Sequence, residues 1–146
     1  MIKDIKETFN LEGVDPSQYS PLALAFIGDS IYGAIAKTVV VLEGNCPAEK
    51  LNAKSVKYVK AVSQSKAADH LLENDLFTEE ELAIYKRGRN AKSPTTAKNA
   101  PVGDYRKATG LEAVIGWLYL RGDEERMTEL MHMIMSVNVV NGDGSR

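Results

Sequence analysis

Two acids in this 146-residue chain sit where acids are least comfortable. Asp29 lies in AFIGDSIY, with Ala25 and Phe26 one helical turn before it and Tyr32 and Gly33 one turn after. Glu112 lies in GLEAVIGWLYL, with Ala108 and Thr109 behind it and Ile115 and Gly116 ahead. An ionised carboxylate among apolar residues is costly unless it is paired with a cation or binds a metal. Glycine or alanine flanks both acids, which lets another helix or a ligand come close. Carboxylate oxygens, with water and phosphate completing the shell, suit Mg²⁺ or Mn²⁺. Such an ion can activate water and neutralise charge on a phosphate under attack.

The stretch just before Glu112 supplies the partner for that chemistry. From Lys86 to Lys107 the chain carries Lys86, Arg87, Arg89, Lys92, Lys98, Arg106 and Lys107 against Asp104 alone, while the whole protein has a formal net charge of −2. Cations this dense repel one another unless an anion is bound. Arginines offer forked donors, lysines point charges, and Asn90, Ser93, Thr95, Thr96 and Asn99 neutral hydrogen bonds, which together suit a phosphate backbone. Tyr105 and Arg106, at the head of the Glu112 helix, can reach the same ligand. Neither a Walker pattern nor GxGxxG is present, so nucleotide binding lacks support. The lysines 50, 54, 57 and 60 read as a solvated helical stripe. His70 and His132 have no partner at ligand spacing, and the single Cys46 excludes an internal disulfide.

The elements that must position these groups read as helical throughout. Ser20 with Pro21 opens an apolar helix that ends at Gly44-Asn45 and, being apolar nearly all round, is expected at the centre of the domain. A second helix is expected from Cys46-Pro47 to about Val62, and a third from about Ser63 to Glu73. Thr78 and Glu81 form a capping box for a fourth that ends near Lys86. Gly88 to Gly103 has the composition of a loop. Asp104 is expected to cap a helix to about Leu120, and Gly122-Asp123 to separate it from a last helix ending near Asn138. Methionines 127, 131, 133 and 135 would pack that helix in a core or between subunits. The division is an arm or short helix over 1–19, one all-α domain over 20–138, and a frayed tail over 139–146. No run of eighteen apolar residues suggests a membrane span, and MIKDIKETFNLEG lacks the apolar stretch of a signal peptide. With a pI of about 5.7, nucleic-acid binding has to come from local clustering. A cytoplasmic protein with no membrane partner is expected.

Three segments in order resemble the ribonuclease III family. LAFIGDSIY resembles its signature, an apolar helix with a Phe-Leu-Gly-Asp core. GLEAVIGWLYL resembles its second acidic motif, and KRGRNAKS followed by YRKATGLEA resembles Mini-ribonuclease III, the short form without a double-stranded-RNA-binding domain. The resemblance covers about residues 20–135. It implies an all-helical, homodimeric endonuclease domain that cuts double-stranded RNA with Mg²⁺, leaving 5′-phosphate and 3′-hydroxyl ends. It also implies precursor large-subunit (23S) ribosomal RNA as substrate, with a ribosomal protein as a possible partner. Asp29 and Glu112 match the catalytic, metal-site carboxylates. Lys86, Arg87, Arg89, Asn90, Lys92, Ser93, Lys98, Tyr105 and Arg106 would grip the duplex. Leu22, Ala25 and Thr109 stand where the longer enzymes carry further carboxylates, so one well-held ion is expected, with any second recruited by RNA phosphate. The rival readings are a non-catalytic duplex-RNA-binding homodimer of the same fold, and a helical interaction protein.

Overall fold

The structure is a computed structural model that describes residues 1–92 and 101–143, with side chains to 138. Among the described residues seven α-helices follow in order, with one short 3-10 helix at Pro16–Gln18 between the first two: α1 Ile2–Phe9, α2 Pro21–Glu43, α3 Ala48–Val59, α4 Ala61–Glu73, α5 Glu79–Asn90, α6 Val102–Arg121 and α7 Glu124–Asp143. Among the described residues there is no strand, as expected from the absence of period-two alternation.

The start and stop chemistry explains most boundaries. Ser20 Oγ accepts from the Ala23 amide with Pro21 at the first helical position. The Thr78–Glu81 capping box is complete in both directions. Gly122 closes α6 in the left-handed region at φ 76°, where a side chain would be strained. Four boundary expectations fail, the first at α7, which runs past Asn138 to Asp143. α3 breaks at Lys60 rather than after Val62. Asp104 is not the cap of α6: the helix starts after Pro101, and Asp104 sits in its first turn, where an acid favours the helix dipole. Finally, α5 does not stop at Lys86 but runs to Asn90 through Gly88. Gly88 acts there as a packing residue, since a Cβ on it would come within 2.9 Å of the Gly110 Cα and the Ala113 Cβ of α6.

α6, and not α2, is the central helix. Every residue from Ala108 to Tyr119 except Glu112 is buried, and α2, α4 and α5 pack around it. α2 buries only one face, through Leu24, Ala25, Gly28, Ile31, Tyr32, Ala36 and Val40. Its other side leaves Phe26 and Leu42 each 81% exposed, which composition alone could not distinguish from core. By length and composition α2 is the one described helix that could cross a membrane, yet it lies along α6 and carries Asp29. Met127, Met131 and Met135 of α7 are core residues.

One buried ion pair fastens α5 to α7. Glu81 is 2% exposed, and Arg126 donates to its two oxygens at 2.8 Å each and to the Leu76 carbonyl at 2.7 Å. Arg126 also bonds to Glu129. Burial alone would raise the Glu81 pKa. The Arg126 hydrogen bonds, the Thr78 amide and the guanidinium charges of Arg126 and Arg121 outweigh it, holding the acid below the usual carboxylate range. The stabilisation is therefore full above the unfolded-state carboxylate pKa and is lost as pH falls through the lower folded value. Arg126→Lys keeps the charge but loses the fork, and should cost about 1–3 kcal/mol at neutral pH. The loss should show as a lower Tm, with the gap to wild type closing in acid.

Candidate active site

The two acids are brought together by a glycine contact. Gly28 of α2 and Gly116 of α6 meet backbone to backbone. A Cβ on Gly28 would lie 1.7 Å from the Glu112 carbonyl oxygen, and one on Gly116 2.0 Å from that of Leu24. Asp29 follows Gly28 directly and Glu112 precedes Gly116 by one turn, so the crossing point of the helices is also where their carboxylates converge. The small residues flanking both acids thus serve the helix approach that their sequence suggested.

Asp29 and Glu112 open into one cleft of about 360 Å³, lined also by Leu22, Ala25, Phe26, Tyr105 and Thr109. Asp29 is exposed at the mouth and Glu112 is partly buried behind it. Burial pushes the Glu112 carboxyl up to about 8. The hydrogen bond from Gln64 opposes the rise, and the charge and contact of Asp29 add to it. Among the described residues no salt bridge involves either acid, so no described lysine or arginine offsets this pair. Two like-charged carboxylates in hydrogen-bonding reach of each other fit a hard divalent cation. Among the described residues no third His, Cys, Asp or Glu joins them, which leaves the remaining positions to water and a ligand's oxygens. Leu22, Ala25 and Thr109 line this same cleft.

The family is decided by what the chain matches. The Ribonuclease III domain model matches residues 22–123, which include α2 and α6 with both acids. The chain belongs to the ribonuclease III family. It is therefore grouped with endoribonucleases. It is 46% identical over 118 residues to Mini-ribonuclease 3 of Staphylococcus aureus, covering 81% of this chain and 88% of that protein. Against Mini-ribonuclease 3 of a Thermoanaerobacter species it is 44% identical over 131 residues, or 90% and 89%. A crystal structure of a Fusobacterium nucleatum protein superposes with a TM-score of 0.74 at 31% identity, covering 85% of this chain and 98% of the other.

The cationic segment of this ribonuclease III domain is built differently from a loop. Lys86, Arg87, Arg89 and Asn90 belong to the last turns of α5, where cations also favour the helix dipole. Arg87 donates to the backbone carbonyls of Ser17 and Tyr19 at 3.1 Å each, clamping the segment before α2 onto α5. Arg89 lies 5.7 Å over the Tyr85 ring and donates to the Asn90 side chain. Lys107 is paired with Asp69 at 2.8 Å. Lys92 and Arg106 are exposed and line a second cleft of about 300 Å³ with Gly88, Ala91, Val102, Tyr105 and Thr109. The two clefts share Tyr105 and Thr109, so a cationic wall leads into the acidic pair. Ser93 and Lys98 lie outside the described residues.

Sequence reasoning missed Gln64, which is 2% exposed and donates to Glu112 Oε2 at 3.1 Å. The signal available was the polar run Ser63-Gln64-Ser65 at the head of a helix whose next turn is apolar; all three are buried. Tyr32 also feels the charge of Glu112. Its hydroxyl donates to the Tyr58 carbonyl, and burial, with the Glu112 charge adding to it, pushes its pKa far above the ordinary tyrosine range.

Proposed function

We propose that this protein is a Mg²⁺-dependent endoribonuclease specific for double-stranded RNA, able to use Mn²⁺ instead. The reading extends to a cytoplasmic homodimer that matures precursor large-subunit ribosomal RNA, with a ribosomal protein as a possible helper. The observation that carries it is the convergence of Asp29 and Glu112, with no cation paired to them among the described residues, at the end of a cationic wall. Asp29 and Glu112 would hold the ion, and an ion so placed supplies an activated water and neutralises charge on the phosphate under attack. The chain's own residues do the rest. Lys92 and Arg106, with Lys86, Arg87, Arg89 and Asn90 behind them, draw the RNA backbone to the cleft. Tyr105 and Thr109 wall the passage between the two clefts, and Gln64 holds Glu112 from behind. Products would carry 5′-phosphate and 3′-hydroxyl ends.

Duplex shape, read through phosphates and 2′-hydroxyls, suits a surface with charge but no described base-reading element. The exposed apolar side of α2, with Phe26, Val41 and Leu42 open, supports burial against a second copy. Incubating purified protein with long double-stranded RNA in Mg²⁺ and in EDTA tests the reading. Cutting confined to Mg²⁺, with 5′-phosphate ends, is expected; binding without cutting in either would favour the non-catalytic duplex-binding homodimer.

The logarithm of the affinity for duplex RNA should fall linearly with the logarithm of salt concentration. Lys92→Ala or Arg106→Ala should each reduce that slope by about 1 while leaving Tm unchanged. Arg87→Ala should lower Tm as well, because it also releases the carbonyls of Ser17 and Tyr19.

A further inference from the structure

The junction between α3 and α4 ends at the active-site glutamate. Lys60 is extended, at φ −67° and ψ 152°, and interrupts what would otherwise be one helix. In a continuous helix the Ser63 amide would bond to Val59; here it bonds to Lys60 instead, at 3.0 Å. The side-chain amide of Gln64 takes the vacated place, donating to the Val59 carbonyl at 2.8 Å. The same nitrogen donates to Glu112 Oε2 at 3.1 Å. Both partners are acceptors, so the amide cannot be turned over without setting oxygen against oxygen. Its two hydrogens are thus fully used between a helix break and a carboxylate. The Gln64 carbonyl oxygen, in contrast, is buried with no partner among the described residues. A buried amide that leaves its acceptor unmatched is an expensive way to fill space, and a leucine of similar volume would fill it without that cost.

We infer that Gln64 is a positioning residue: it ties Glu112 to the α3–α4 junction and so aims the carboxylate into the cleft it shares with Asp29. A long acidic side chain beside a like charge would otherwise swing away from it. Tied to Val59, Gln64 fixes one Glu112 oxygen and leaves the other for the ion. This rests on the metal-dependent nuclease reading above.

The test is Mn²⁺ binding to the protein without RNA, followed by electron paramagnetic resonance, in wild type and Gln64→Leu. Positions that orient metal ligands typically change metal affinity or activity by about 10–100-fold. A weakening in that range is expected for Gln64→Leu, with kcat lowered similarly and KM for duplex RNA unchanged. A folded Gln64→Leu protein with wild-type Mn²⁺ affinity and kcat would overturn the inference and leave Gln64 as a cap for α3. If Gln64→Leu does not fold, nuclear magnetic resonance of the wild-type Gln64 side-chain amide decides. Its two proton signals should move when Mg²⁺ is added without RNA, and signals that stay still while Mg²⁺ binds would refute the role. Wild-type protein that binds neither ion would instead overturn the metal reading itself, and this inference with it.

Discussion

Gly28→Ala is expected to destabilise the protein by about 4 kcal/mol or more, in the rare class of single substitutions reserved for a specific structural failure. The added Cβ would sit 1.7 Å from the Glu112 carbonyl oxygen and 2.7 Å from its carbon. Neither atom belongs to a flexible side chain; both are backbone in the most buried helix of the fold. The strain can be relieved only by prying α2 from α6, and that contact carries Leu24, Ile31, Tyr32 and much of the core. Moving Asp29 away from Glu112 by about 1 Å would by itself cost about 10²-fold in rate. Any Gly28→Ala protein that folds should therefore cut RNA poorly. Thermal unfolding and single-turnover cleavage on the soluble fraction would measure the two losses separately. Gly103→Ala is the control: among the described residues nothing lies within 4 Å of its Cβ position, so it should be silent on Tm. A Gly28→Ala protein with wild-type Tm would mean that the two helices do not meet this closely.

The same contact shows what the sequence could and could not convey. Local signals were clear: Ser20-Pro21, the Thr78–Glu81 box and Gly122 set boundaries by bonds made within a few residues. The acids announced themselves because charge among apolar neighbours is rare in a helix. Long-range choices were hidden. α2 and α6 are both apolar, and only packing decides that α6 is enclosed while α2 keeps an open side. Glycine usually ends helices, whereas at Gly88 α6 needs the space the missing Cβ leaves. Arg87 read as one more cation in a basic run, although its guanidinium is bound to carbonyls about 70 residues away in sequence. Glu81 was recognised as a cap, but its pairing with Arg126, across 45 residues, has no local trace.

Glu112→Gln and Asp29→Asn should each reduce metal-dependent cleavage by about 10³-fold or more. A catalytic ion is worth several kcal/mol of transition-state stabilisation, and each 1.4 kcal/mol or so is a factor of ten. Loss of activity alone would not separate catalysis from folding, but the stability of Glu112→Gln does. In the folded protein the Glu112 carboxyl is pushed up to about 8, from an ordinary value of 4.5, by burial first and by Asp29 after it. A raised carboxyl pKa means that ionisation opposes folding: the penalty is absent below the unfolded pKa and grows as pH rises towards the folded value. At pH 8 in EDTA, wild type therefore carries a cost that the neutral amide does not. The glutamine keeps an oxygen to accept from Gln64. Glu112→Gln should accordingly melt at or above the wild-type temperature in EDTA at pH 8, with the advantage vanishing near pH 4. Added Mg²⁺ should raise the Tm of wild type at pH 8 and not that of the variant, because only the ionised acid binds the metal and gains the linkage. An inactive variant that is more stable without metal and indifferent to it would identify Glu112 as a residue kept for chemistry at the expense of the fold. A Glu112→Gln protein that still cuts duplex RNA at the wild-type rate would remove the carboxylate pair from the mechanism.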